Sequence, residues 1–483
     1  MESTYFIKSK SDNTYVINVH KKSIHLVHPI LYAISLNIPI DNKLEEQEYY
    51  SKKLQYYLKH GIISEDSIPD KIPFQVTEMD IEKNIANLPQ LTIEVTEKCN
   101  LKCQYCYYGE YYKMGESRDL KDLIFDKTKT ILDFVIEKQK TEYNASLSST
   151  LYISFYGGEP LMNMGLISKI IHYSDKFNNR KMSFSMTTNG TLLRKQIDYL
   201  VNNNVNLLIS LDGNEKNNSY RTYSNGKNCY DDILKSIDLI REFYPDYYEN
   251  YVNFNAVLHN NNSVSEIYNY FRERLDKTPA ITELNASGIQ ENMKNEFYLA
   301  YRNFDESLYQ SENYEKIESD LFVNAPTFNT VFVFLHQYLW FVFKSYEELL
   351  VEKLGSQYLS TGTCQPFSKK MFISAEGKIL PCEKISHAYS LGEIKNGSIN
   401  IDSKLIAEKH NFYYSKLSKQ CNKCYRQDSC SQCFYFIENL DMNPVCHGFM
   451  NKSGFYNYLY SNINFLEQHH TDYTKMMTEV NII

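Results

Sequence analysis

Between Leu91 and Leu284 the chain alternates two rhythms. Short apolar or β-branched runs, LTIEV (91–95), LYISF (151–155), SFSMTT (183–188), NLLISL (206–211), VNFNAVL (252–258) and AITEL (280–284), read as strands. Amphipathic stretches such as LKDLIFDKTKTILDFVIEKQ and DDILKSIDLIREFY separate them and repeat apolar residues at helical spacing. This alternation predicts an α/β fold with a parallel sheet and helices outside. The run of strands falls short of a closed eightfold barrel, so an open or partial barrel is expected. In such folds chemistry sits at the carboxyl ends of the strands.

Upstream the pattern differs. TYVINVHKKSIHLVH reads as two short strands joined at His20-Lys21-Lys22, and PILYAISL and EEQEYYSKKLQYYLKHGII follow with helical spacing. Residues 1–88 are therefore expected to form a small strand-plus-helix domain, with the α/β core over 89–290. Residues 291–355 read as long, aromatic-rich helices bridging two parts. From Cys364 onward helical periodicity fades into cysteines, turns and short strands, giving a cysteine-rich domain over 356–450 and a tail over 451–483.

The length of 483 residues exceeds what one core usually organises. A net charge of −8 gives no global reason to bind nucleic acid. The 42 Tyr suit large polar-tipped surfaces or grooves. No basic start followed by an apolar run marks a secretory signal. The most apolar stretch, Thr330 to Phe343, is too short to span a bilayer and carries His336 and Gln337, so a buried helix is expected there. The expectation is a cytoplasmic protein without a membrane or nucleic-acid partner.

Cysteines change the picture. Ten of the 11 fall in two sets: Cys99, Cys103 and Cys106, then Cys364, Cys382, Cys421, Cys424, Cys430, Cys433 and Cys446. Cys229 stands alone and reads as an ordinary half-buried thiol. In a large chain without a signal, clustered thiols read as metal or iron–sulfur ligands rather than disulfides. The first set, in EVTEKCNLKCQYCYYGE, follows the first core strand and places Tyr105 just before the third Cys. Three thiolates leave one iron of a [4Fe–4S] cluster open, a docking place for a small molecule with an amine and a carboxylate. A zinc site completed by a distant residue is the alternative.

With four further motifs in order, this stretch resembles the radical S-adenosylmethionine (SAM) enzymes. FYGGEPLMN (155–163) is similar to the family's glycine-rich segment, which implies that Gly157, Gly158 and Glu159 bind the methionine amino group. SMTTNGTLL (185–193) matches the segment at the third strand, and NAVLHNNN (255–262) resembles the fifth, whose apolar residues pack on adenine. SLDGNEKNNSYR (210–221) implies Ser210, Asp212 and Arg221 as contacts to the SAM carboxylate or ribose. Here Asn218-Ser219 stand where relatives often carry His-Asp, with spacing one residue shorter. Tyr105 joins the implied cofactor contacts. The resemblance implies reductive cleavage of SAM to a 5′-deoxyadenosyl radical that abstracts an unactivated hydrogen atom.

The second set resembles the SPASM domain, a twin-cluster module. That implies one auxiliary [4Fe–4S] cluster on Cys421, Cys424, Cys430 and Cys446. A second would sit on Cys364, Cys382 and Cys433, where the family usually has four cysteines; His387 is one candidate to close that set. A four-cysteine zinc site at 421–433 is the alternative. The chain as a whole thus resembles SPASM-bearing peptide maturases, with three [4Fe–4S] clusters in all. Residues 1–88 look like their winged-helix-like leader-recognition domain, which implies a precursor peptide with a leader as partner, bound as an added strand. An electron donor such as flavodoxin or ferredoxin is implied too. The missing cysteine ligand favours a thioether product; carbon–carbon crosslinking and sulfatase-type formylglycine formation are the alternatives. A non-catalytic iron–sulfur carrier would need neither the GGEP nor the SLDG motif. Glu383, beside Cys382, matches an acidic position that serves sulfatase-maturating relatives as a base.

Overall fold

A computed structural model describes residues 2–41, 44–64, 75–112, 119–145, 149–177, 180–339, 361–437 and 439–470, with 473 and 476. The chain divides into two compact units, one of residues 1–75, 326–363 and 411–483, the other of 76–325 and 364–410.

The second unit is built on a ten-stranded mixed sheet. Its parallel part comprises β4 (Gln90–Thr96), β5 (Leu151–Gly157), β6 (Met182–Thr188), β7 (Asn206–Ser210), β8 (Val252–Leu258) and β9 (Ala280–Glu283), laid side by side in chain order. All the core strands expected from the pattern are present. Beyond β4 lie β10 (Met371–Ile373), parallel to β4 with Met371 opposite Leu91, and then β11 (Lys378–Leu380), β12 (Gly392–Lys395) and β13 (Ser398–Ile401), each antiparallel to its neighbour. This mixed edge explains the short strands after Cys364.

β4 lies between β5 and β10 and is buried from Leu91 to Thr96, with Leu91, Ile93 and Val95 alternating with Thr92, Glu94 and Thr96. Its buried Glu94 accepts a hydrogen bond from Ala375 N (3.0 Å) beyond β10. Helices Phe125–Lys138, Met164–Ser174 and Tyr230–Phe243 provide crossovers and bury one stripe each, such as Ile131, Leu132 and Val135 in the first. That stripe drives packing onto the sheet.

In the other unit, β1 (Thr4–Lys8), β2 (Thr14–Asn18) and β3 (Ser23–Val27) form an antiparallel sheet in that order. β2 and β3 are the expected pair; β1, TYFIK, was not foreseen. Helices Pro29–Ser35 and Leu44–Lys59 follow, and Val16, Val27, Leu31 and Ile63 form the core with Phe6, Leu54 and Leu58 against it. The outer edge of β1 is tied down: Thr4 Oγ1 and Ser64 N lie 2.9 Å apart, and Thr4 Oγ1 donates to Ser64 O at 2.9 Å. Helix Lys452–Gln468 packs on this sheet through Tyr5 and Phe455, whose rings meet edge-on at 5.3 Å. Lys10 N donates to Asn464 Oδ1 (2.7 Å) and Tyr15 OH to Glu467 Oε1 (2.7 Å).

Two sequence expectations change. Residues 291–325 form short helices, Lys294–Ala300, Phe304–Tyr309 and Tyr314–Leu321, rather than long ones. Polar breaks interrupt them, as at Asn303, whose side chain caps Glu306 N. Conversely, the 19-residue helix Ser403–Cys421 and the 17-residue helix Lys452–Gln468 lie where periodicity had faded, because polar residues are spread around both. The apolar stretch from Thr330 is a buried helix as far as Tyr338, within Pro326–Tyr338. Residues 340–360, which include the rest of the expected bridge, lie outside the described residues. Among the described residues no helix is long and apolar enough to cross a membrane.

Candidate functional site

The parallel ladder between β4 and β5 shifts register between Glu94 and Thr96, just where β4 hands over to the cysteine loop. Such irregularities re-aim the chain at strand ends. The loop is pinned from the far side: Lys102 N donates to Thr222 O (2.7 Å) and Gln104 N to Tyr220 O (3.1 Å). It turns tightly at Cys103–Cys106 and Cys106–Gly109, with N–H···O distances of 3.1 and 2.7 Å. Cys99, Cys103 and Cys106 thus gather at the carboxyl end of a central strand. Burial pushes the Cys99 thiol up to about 11 and Cys103 further, and each thiol's neighbours in the trio add to the rise. Thiols that stay protonated without metal release protons when they ligate it.

The glycines of FYGGEPLMN belong to this loop's packing. A Cβ at Gly157 would stand 2.1 Å from Thr96 O, and one at Gly158 would stand 2.1 Å from Lys98 O. Gly157 also has φ +140°, in the region that favours glycine. The close approach lets Gly158 N donate to Thr96 O (2.9 Å) and Glu159 N to Lys98 O (2.8 Å). The fully buried Glu159 carboxylate turns the other way, accepting from Leu161 N (3.1 Å), Thr188 Oγ1 (2.7 Å) and Asn189 N (2.7 Å). Burial pushes it up to about 6, while these three donors pull it down. Its side chain therefore braces the end of β6. Asn189 extends that brace to the cysteine loop, donating to Asn100 Oδ1 (2.9 Å).

Ser210 ends β7, half-buried opposite Asn255 of β8. Two residues on, Asp212 is the hub of a buried polar cluster. Its Oδ2 accepts from Tyr105 OH and from Arg221 Nε (3.2 Å), and its Oδ1 accepts from Val257 N (3.0 Å). The Arg221 guanidinium lies 5.3 Å over the Tyr105 ring, and His259 stacks on that ring at 5.9 Å with Nε2 3.8 Å from Asp212 Oδ2. Burial alone would raise the Asp212 carboxyl, but the Arg221 charge, with His259 and Tyr105, holds it below its usual value. Tyr105, Asp212 and Arg221, far apart in sequence, are thus brought together. His259 and Asn218 were missed as members. The signal for Asn218 lay in the altered SLDG segment: its Oδ1 accepts the Asp212 N–H (3.3 Å). Cys229 is fully buried rather than half-buried, and its sulfur takes Asn218 Nδ2 at 3.6 Å.

In the unit of residues 1–75, 326–363 and 411–483, Cys421, Cys424, Cys430 and Cys446 line one pocket with Gln420, Gln427 and Phe449. Burial and then the other three thiols push Cys421 up to about 12. Cys433 belongs to this unit, its carbonyl accepting from Phe436 N (3.2 Å). Cys364 and Cys382 belong to the other unit. Cys364 is exposed. Burial, then Glu383, pushes Cys382 up to about 12, and its sulfur accepts from Lys384 N (3.3 Å). Tyr107 of the cysteine loop donates to Lys384 O (3.1 Å). Glu383 is held by Lys370 Nζ, 3.2 Å from both carboxylate oxygens. Among the described residues no three His, Cys, Asp or Glu side chains form a ready single-ion site. An all-thiol donor set of this kind suits iron–sulfur clusters.

Comparison with known proteins agrees with this geometry. The model of the Radical SAM superfamily matches residues 93–273. The chain is 28% identical over 215 residues to the radical SAM cyclopropyl synthase TigE of Paramaledivibacter caminithermalis, covering 43% of this chain and 42% of that one. It is 24% identical over 370 residues to a cysteine-type anaerobic sulfatase-maturating enzyme of Clostridium perfringens, covering 73% and 91%. The solved structure of native anSMEcpe with bound AdoMet and Kp18Cys peptide shares the fold, with a TM-score of 0.53 at 19% identity over 81% of this chain and 99% of that one. The chain spans about half the length of the first curated relatives it matches, from 42% to 51%. With three thiols at the end of β4, glycines locked against them and the matched span on the page, residues 93–273 are a radical SAM domain.

Proposed function

We propose that the protein is a radical SAM maturase acting on a ribosomally made precursor peptide, in which it installs a crosslink, a thioether first among the bond types. The observation that carries the reading is the convergence of Cys99, Cys103 and Cys106 with the Gly157–Gly158 backbone at the carboxyl ends of β4 and β5. When bound there, a [4Fe–4S] cluster with SAM supplies the one-electron cleavage that makes a 5′-deoxyadenosyl radical.

The chain's own residues do the rest. The Gly157–Gly158 backbone offers its polar groups without side chains in the way. Ser210 and Arg221 hold the SAM carboxylate or ribose, and Asp212 fixes Arg221 and Tyr105 in place. Read as a partial (β/α)6 barrel, the β4–β9 strands would enclose the radical and keep water from it. Cys421, Cys424, Cys430 and Cys446 would hold one auxiliary cluster, and Cys364, Cys382 and Cys433 are the residues that would hold a second; such clusters would supply electron transfer. The sequence counts one cysteine too few for the latter, and thiolate, which iron prefers, is what a substrate cysteine offers. Glu383 would take a proton from the oxidised substrate. Glu383→Gln should keep iron and SAM cleavage but lower product yield.

A peptide substrate is supported by the N-terminal sheet. Among the described residues β3 pairs with β2 alone, and its Leu26 is exposed, so its outer edge suits an added leader strand in a winged-helix-like domain. A cytoplasmic setting with flavodoxin or ferredoxin as electron donor completes the picture. The long match to a sulfatase-maturating enzyme supports a second reading, oxidation of a Cys or Ser in a sulfatase to formylglycine. Carbon–carbon crosslinking is the third.

The deciding experiment incubates enzyme, SAM and reductant with a precursor peptide encoded beside the gene, then alkylates thiols. A thioether gives 5′-deoxyadenosine, a product lighter by two hydrogens and one fewer alkylatable cysteine per crosslink. The same mass loss with every cysteine alkylatable gives a carbon–carbon bond instead. Turnover of a sulfatase peptide with none of the precursor establishes the second reading.

A further inference from the structure

The pocket lined by Cys421, Cys424, Cys430 and Cys446 has a thin outer wall. The segment from Asp441 to Met450 runs beside the end of helix Ser403–Cys421 and the turn after it. Gln420 Nε2 donates to Pro444 O (2.8 Å), Cys446 N to Gln420 Oε1 (3.2 Å), Met450 N to Cys424 Sγ (3.4 Å) and Lys416 Nζ to Met442 O (3.4 Å). Cys446 lines the pocket, while its chain neighbours Val445 and His447 are exposed, so the wall is about one residue deep.

The outer face of that wall is apolar. Met442 is 71% exposed, Val445 50% and Phe449 43%, with Phe412 of the helix at 52%. Apolar side chains gathered in one place on a surface mark an interaction site. Lys419, at the end of the helix, and Lys423, in the turn after it, are exposed. Between 411 and 433 the chain carries Lys416, Lys419, Lys423 and Arg426 against the single acid Asp428, although the whole protein has a net charge of −8. Asp441, at the rim, accepts from Tyr413 OH (3.1 Å).

We infer that this face docks an acidic one-electron carrier protein of the flavodoxin type. The inference rests on the reading that the four cysteines hold a cluster. The exposed Lys419 and Lys423 steer an acidic partner to the spot, and a small apolar centre gives the brief, modest binding that suits a redox encounter. The transfer moves one electron: the carrier's flavin is oxidised by one and the cluster reduced by one, with no bond made or broken.

The test titrates the full-length, iron-loaded enzyme with purified flavodoxin at low and high salt. Lys419→Glu/Lys423→Glu and Met442→Ser/Val445→Ser should each raise the Kd about tenfold or more, and the lysine pair should also flatten its salt dependence. Iron content and dithionite-driven 5′-deoxyadenosine formation should stay at wild-type levels. Equal affinity in wild type and both variants overturns the inference. Loss of self-association with unchanged flavodoxin binding also overturns it, and assigns the face to a second copy of the chain. Iron analysis of Cys421→Ala/Cys424→Ala judges the cluster reading separately. A loss of about four irons upholds it, and an unchanged count refutes it whatever the carrier binding.

Discussion

Gly158 has a carbonyl where its Cβ would be, so the cysteine loop can lie against it only while the position stays bare. Gly158→Ala forces Lys98 O, and with it Cys99, to move. The expected cost is about 1–3 kcal/mol of stability, as for an overpacked core, together with loss of SAM cleavage. Thermal unfolding and 5′-deoxyadenosine measurements on one preparation check both. At Asp212 the danger is the reverse. Asp212→Asn leaves the Arg221 guanidinium buried beside a neutral amide. Removing one partner of a buried pair costs about 3–5 kcal/mol, and urea unfolding should show it. Asp212→Asn paired with Arg221→Met should recover part of that loss, because no unpaired charge remains. The altered SLDG segment marked Asn218 as unusual, but what it does became visible only when Asp212, Asn228 and Cys229 came together around it.

The strands of the core were legible because each is a short stretch rich in apolar or β-branched residues bounded by turns, with alternate residues buried, as in β5, β7 and β8. The cysteine loop was legible for a different reason, since ligand spacing is a local property of the chain. Elements held by long-range contacts were not. β1 becomes a strand because Ser64 and helix Lys452–Gln468 close around it, and neither lies near it in sequence. His259 lies in a quoted motif, but only the fold brings it onto Tyr105. The outer edge of β3, unpaired among the described residues, carries the next prediction. Leu26→Asp adds a charge to an exposed edge position without touching the core, since Leu26 points outward. Precursor binding should weaken while SAM cleavage without peptide continues, as fluorescence anisotropy of a labelled leader and 5′-deoxyadenosine assays would show. Unchanged leader affinity would place the docking site elsewhere.

At the scale of the whole molecule Cys99, Cys103 and Cys106 lie in one unit and Cys421, Cys424, Cys430 and Cys446 in the other, so those two sets can be counted independently. Cys99→Ala/Cys103→Ala/Cys106→Ala should abolish SAM cleavage yet retain about eight irons, two clusters of four. Iron and sulfide analysis checks the count, and a value near zero would mean that the auxiliary sites cannot assemble without the first.

The clasp of helix Lys452–Gln468 on the N-terminal sheet also bears on how the protein is made. Lys10 and Asn464 bond across 454 positions of chain. At about 5–20 residues per second, a ribosome needs roughly half a minute to a minute and a half to travel that far. Throughout that interval β1 and β2 are outside the ribosome while Phe455, Asn464 and Glu467, the groups that cover them, do not yet exist. The stretch 76–325, contiguous in sequence, can meanwhile complete most of its own contacts. The N-terminal sheet thus emerges well before the helix that completes it. During synthesis it depends on chaperones or on its own small core of Val16, Val27, Leu31 and Ile63.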